Sequence, residues 1–103
     1  MQDLATSNSA GVVNFATGTF TGDGTDITVL LGFKPRHVRA VNVTDVEAWD
    51  KFESMSAAQA LKTVTAGTTT IDTGSAIVIG ENGFTLLAAE FGTSDVVHWA
   101  AWG

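Results

Sequence analysis

The chain has 103 residues, 45% of them hydrophobic, with a net charge of −6 and no cysteine. That is the size of one domain, able to bury roughly two-thirds of the surface its unfolded chain exposes. Without thiols there are no disulfide frameworks, thiolate zinc sites or thiol nucleophiles, and Lys34, Arg36, Arg39, Lys51 and Lys62 are too few for a phosphate-binding surface.

No apolar run reaches the length of a membrane span, so no membrane partner is expected. No basic n-region followed by an apolar h-region is visible, and the expectation is synthesis in a cytoplasm. Residues 1–11 are small and polar without periodicity, which predicts a flexible N-terminal arm ahead of a β domain spanning residues 12–103.

The run from Val12 to Phe20 is rich in β-branched and aromatic residues and predicts a strand, with Gly18 marking a bulge. Gly22 and Gly24 make a turn, and Asp26 to Leu31 resumes as a strand whose Ile27, Val29 and Leu31 share one face. These two runs predict a hairpin. Gly32-Phe33-Lys34-Pro35 is the next turn. His37 to Thr44 reads as an interior strand, Val38 and Ala40 pointing one way and Val41 and Val43 the other, with a slight register break.

Val46 to Glu53 fits a strand better than a helix, because Trp49, Phe52 and Val46 favour extended backbone. Ser54 to Lys62 has helix-forming content but is too short to hold a helix by propensity, so a loop or single turn is expected. Thr63 to Gly74 predicts two short strands about a turn, or one exposed ribbon. Ala76 to Ile79 is continuously apolar and predicts a core strand. Asn82-Gly83 marks a type I′ hairpin, and Phe84 to Ala89 returns. Phe91 to Asp95 turns again. Val96 to Trp102 closes the domain, Val97, Trp99 and Ala101 on one face and Val96, His98, Ala100 and Trp102 on the other. About eight short strands with frequent turns predict an all-β, single-domain antiparallel β-sandwich, jelly-roll-like in class.

The chemistry-bearing residues form no recognisable constellation. His37 and His98 lie far apart with no carboxylate spacing that proposes a metal site, so strand histidines with satisfied hydrogen bonds are expected. Asp23 and Asp26 lack the pattern of a calcium loop. Gly22-Asp23-Gly24 joins two strands and is no nucleotide fingerprint. Asn42-Val43-Thr44 matches a glycosylation sequon inside an apolar strand and reads as a chance match. Ser54, His98 and Asp50 could be written as a triad, but no nucleophile-elbow motif supports it. No enzyme and no cofactor are expected. Trp49, Trp99, Trp102 and Phe52 could line a sugar-binding or protein-binding surface; core filling is expected for Trp99 and a subunit contact for Trp102.

Leu31-Gly32-Phe33-Lys34-Pro35-Arg36, Val41-Asn42-Val43-Thr44-Asp45, Trp49 and Gly83-Phe84-Thr85-Leu86 occur in an order that resembles a family of small structural proteins of tailed bacteriophages. Each motif is ordinary turn and strand chemistry. The combination, running from about Thr17 to Trp102, carries the resemblance. It implies a non-enzymatic virion protein, a capsid decoration or cement protein on the outer surface of the shell, with the major capsid protein as partner. Homotrimers are common among such proteins, and strands apolar on both sides fit subunit contacts. Phe33, Pro35, Arg36, Arg39 and Trp102 are the expected contact residues. The alternative is a tail fibre or spike component that binds a host surface glycan.

Overall fold

The computed structural model describes residues 14–103; the arm expected at residues 1–11, and Val12 and Val13 of the first expected strand, lie outside the described residues. These fold into nine strands and no helix: β1 (Phe15–Thr21), β2 (Ile27–Leu30), β3 (His37–Asn42), β4 (Glu47–Phe52), β5 (Ala60–Thr63), β6 (Thr69–Asp72), β7 (Ile77–Gly80), β8 (Gly83–Leu86) and β9 (Val96–Trp102). Every pairing is antiparallel. A six-stranded sheet runs β1-β9-β3-β4-β5-β6, and a three-stranded sheet runs β2-β8-β7. The all-β sandwich is as the sequence predicts, with one strand more than expected.

The two sheets bury one core between them. Val38 and Ala40 of β3, Trp49 of β4, Val97 and Ala101 of β9, and Ile77, Phe84 and Leu86 of the small sheet are all essentially inaccessible to solvent. Trp99 reaches across from β9 to meet Phe84 edge-on, ring centroids 5.2 Å apart, an arrangement that favours the positive edge of one ring on the negative face of the other. Phe91 belongs to this core as well, 4.6 Å from Trp49. The sequence placed it in a turn; the turn is there, and its side chain is turned inward to fill the sandwich.

The hairpin expected between the first two runs does not form. β1 pairs with β9, and β2 pairs with β8 in the other sheet. The reason is local. The Gly22 N–H donates to Asp95 O and its carbonyl accepts from Ser94 N, each at 2.8 Å. The chain is thereby tied to the 92–95 turn when it leaves the large sheet. The Asp26 carboxylate then accepts from Ala88 N at 2.8 Å, in the segment after β8, and β2 enters the small sheet.

Three further expectations need correction. β3 has no register break: Val38, Ala40 and Asn42 alternate as its buried face. Asn42 is buried because its amide is fully used. Its oxygen accepts from Thr44 N and Asp45 N at 3.1 Å each, and its nitrogen donates to Asp95 Oδ2 at 2.9 Å. Burial without those partners would cost several kcal/mol, roughly 2–7 by transfer measurements. The apolar run Ala76 to Ile79 is not continuously buried, because β7 is an edge strand and Val78 faces outward.

Third, the β7–β8 hairpin is real, but its loop is Glu81-Asn82, flanked by the pair Gly80 and Gly83. Neither loop residue has positive φ, so the turn is not type I′. Gly83 is required for a different reason: a Cβ there would lie 1.9 Å from the carbonyl oxygen of Val29. Ser54 to Gln59 is a loop, but the loop expected to run on to Lys62 stops there: Ala60 to Lys62 open β5, which pairs with β6 of the Thr-rich stretch.

Candidate functional site: the outer face of the large sheet

The face of the six-stranded sheet turned away from the small sheet is uncovered among the described residues. Its content follows from the strand registers. Phe15, Trp102, His37 and Phe52 stand directly opposite one another across β1, β9, β3 and β4. Neighbouring strands lie about 4.8 Å apart, which is also a comfortable ring-stacking distance. The rings accordingly stack in a ladder: His37 lies 4.4 Å from Phe52 and 4.6 Å from Trp102, nearly parallel to both, and Phe15 tilts against Trp102 at 5.5 Å. Phe15 and Phe52, at the two ends, are 50% and 42% exposed.

Two residues along each strand, the next row holds Arg39 opposite Asp50. The Asp50 carboxylate is shared: Oδ1 meets His37 Nε2 at 2.9 Å and Oδ2 accepts from Arg39 at 2.5 Å. This ion pair is partly exposed, so its contribution to stability is small, at most about 1 kcal/mol. Its consequence for the surface is larger, since both charges are matched within the face and need no counter-charge from outside.

Toward the opposite end, Val41, Val43, Val46, Ala48 and Val64 line a shallow apolar groove of about 410 Å3 between the β3–β4 and β5–β6 turns. Val46 is 60% exposed and sits at φ 57°. A β-branched side chain in the left-handed region is strained. The same turn is braced by Thr65, whose hydroxyl donates to Asp45 O at 2.9 Å.

Of the expected contact residues, Trp102 and Arg39 lie on this face. Phe33 and Arg36 flank its aromatic end, for Arg36 N donates to Trp102 O at 2.6 Å. Phe33 is half-buried beside Gly103. Pro35 is fully buried and offers no surface, because the turn that it stiffens is packed inward. Sequence reasoning named Phe52 among the candidate surface aromatics but missed His37 and Phe15. The period-two rule could have placed His37 with Arg39 and Phe52 with Asp50; only the register could join the strands.

Other candidates resolve into structural roles. Asp50 is bonded to His37 and Arg39, while His98 stands opposite Thr19 and Val41, so the written triad is not assembled. No group of three His, Asp or Glu side chains among the described residues could hold a metal ion. A cleft of about 210 Å3 runs between the 53–57 loop and β7. Its floor includes Lys51, whose ammonium already donates to the carbonyls of Ser56, Ala57 and Gln59. Asp23, at the first sheet crossing, accepts from the Thr25 hydroxyl and N–H at 2.6 and 3.0 Å; those bonds hold its carboxyl below the ordinary range. They close a local turn.

No protein-family model matches this chain, and no curated protein or solved structure matches it either.

Proposed function

We propose that this chain is a non-enzymatic structural protein of a tailed-bacteriophage virion, a decoration or cement protein that docks on the major capsid protein through the outer face of its large sheet. The observation that carries the proposal is the aromatic ladder Phe15–Trp102–His37–Phe52 beside an internally matched ion pair. It is rigid, exposed and nearly neutral in a chain whose net charge is −6. A rigid face loses little order on docking, and aromatic residues with arginine are the usual anchors of protein contacts. Repetition of the contact over a capsid lattice gives avidity even when one copy binds weakly. The motif order from Leu31 to Leu86 supports the same reading.

The geometry also weighs against the glycan-binding alternative. A sugar stacks on the flat face of a ring, and here the faces of His37 and Trp102 are taken up by their neighbours. The outward faces of Phe52 and Phe15, at the two ends of the ladder, are what remain for a ring-stacking ligand.

The test is binding of the purified protein to capsids of the encoding phage, with its copy number in virions counted by mass spectrometry. The expected result is a copy number near that of the major capsid protein, and capsid affinity reduced about tenfold or more by Trp102→Ala or Phe52→Ala. A handful of copies per particle, with tryptophan fluorescence quenched by host glycan, would move the protein to the tail. Absence from virions would overturn both readings.

A further inference from the structure

The large sheet has two edges, and they differ. β6 is short, four residues, and carries Asp72. β1 is seven residues long, Phe-Ala-Thr-Gly-Thr-Phe-Thr, with neither charge nor proline. Natural sheets guard their edges with lysine, proline, bulges or short strands, because an unguarded edge is a template for pairing. β1 has no such guard, and among the described residues it pairs with β9 alone.

Which backbone groups face the open side can be read from the bonds at its ends. Gly103 N donates to Asn14 O, and Gly22 N donates to Asp95 O, both at 2.8 Å. In an antiparallel ladder, hydrogen-bonded pairs alternate with non-bonded ones. The even-numbered residues of β1 therefore bond to β9, and the N–H and C=O of Phe15, Thr17, Thr19 and Thr21 point away from it.

We propose that β1 is a self-association edge, pairing antiparallel with β1 of a second copy about a two-fold axis at Gly18 and joining the two large sheets into one. The occupant is argued from the strand itself. Its centre, Thr17-Gly18-Thr19, is symmetric about Gly18, and a two-fold register there sets Thr17 opposite Thr19 of the second copy and Phe15 opposite its Thr21. Only outward-facing residues meet outward-facing residues in this register, and every free N–H finds a carbonyl. Thr–Thr is a favourable cross-strand pair. On the other side of the sheet, Ala16 meets Phe20 of the second copy, large against small. Gly18 is fixed by its own core, since a Cβ there would lie 2.6 Å from the Trp99 ring. It thus leaves the axis free of side chains.

This contact is isologous and closes at two copies. The trimer suggested by two-sided apolar strands would need two different complementary surfaces, and β6 offers Thr69 and Ile71 against the longer β1. The inference is separate from the virion reading: oligomeric state is measured on the purified chain, and virion location on particles.

The experiment is light scattering on the full chain across micromolar concentrations, with two variants that alter the free edge and spare the backbone bonds to β9, Thr19→Pro losing only the hydroxyl bond from Thr19 to Val97 O. The expected mass is twice 10.7 kDa. Thr19→Pro removes an outward N–H, a site where an edge strand tolerates proline, and Thr17→Lys adds an edge charge. Each is expected to weaken the dimer about tenfold or more with unchanged circular dichroism. The double variant Thr17→Cys, Thr19→Cys tests the register, because directly opposed residues lie about 5.5 Å apart at Cα, within disulfide reach. In a chain with no cysteine of its own, oxidation should give a covalent dimer. A monomer at ~100 μM, a trimer, or a dimer indifferent to both edge variants and refusing the crosslink would overturn the proposal.

Discussion

Lys51 and Lys62 both leave the large sheet on its inner side and are satisfied in different ways. Lys51 is buried, and burial pushes its ammonium below the ordinary lysine range; three loop carbonyls hold it in the charged form. Removing it by Lys51→Met should take this donor from the Ala57 and Gln59 carbonyls, Ser56 O keeping Gln59 N, and cost about 1–3 kcal/mol. Urea denaturation would measure that loss, and hydrogen exchange should rise first in the 53–59 loop. Burial alone would also lower Lys62, but its hydrogen bond to Glu90 and the charges of Glu90, Glu47 and Asp72 outweigh it and raise its pKa. Its ammonium also sits 5.2 Å from the Trp49 ring centre. A raised folded-state pKa means the folded chain holds the proton more tightly than the unfolded one. The stabilisation is therefore complete below the unfolded pKa, about 10.4, and is lost as pH rises through the higher folded value. Stability measured from pH 9 to 11.5 should fall at the alkaline end, and Lys62→Met should flatten that part of the fall attributable to this residue. Neither role is visible in sequence, where lysine reads as solvated charge.

At the scale of elements, the β3–β4 hairpin holds an avoidable strain. Val46 occupies the left-handed region while more than half exposed, although asparagine would sit there at lower cost. Val46→Asn should raise the unfolding free energy by about 1 kcal/mol and weaken capsid binding, the usual trade when strain serves a contact. Equal capsid affinity in the stabler variant would remove the valine groove from the binding surface. The alternation of β9 and the existence of the β7–β8 hairpin were legible in sequence, because period two and turn chemistry are local signals; of the β5–β6 hairpin only the β6 side was, since Ala60 to Lys62 read as loop. The false β1–β2 hairpin shows where such signals stop. What diverts β1 is a pair of backbone bonds between Gly22 and the 92–95 turn, made across most of the chain and independent of any side chain that could be read. The aromatic ladder was hidden for the same reason. Its four rings come from four strands, and a one-residue slip in any register would turn that ring to the other face.

In the proposed reading the two sides of the large sheet divide between stability and contact, and β9, paired on both edges with β1 and β3, shows the division most sharply. Trp99 points inward, against Phe84 and above Gly18, where it links the two sheets. Trp102, three residues on, points outward between Phe15 and His37. Trp99→Ala opens a cavity between the sheets and should cost about 3 kcal/mol or more. Trp102→Ala removes a half-buried ring from the ladder and should cost only about 1 kcal/mol, yet it should produce the larger loss of capsid affinity under conditions where both variants remain folded. Denaturation and capsid-binding measurements on the same two proteins decide the matter. If both variants lose stability alike and Trp102→Ala binds capsids as well as the parent chain, the outer face is merely sheet surface. If the losses separate, one side of each strand builds the sandwich and the other carries the contact, which is what strict alternation allows a sheet to do with a single short sequence.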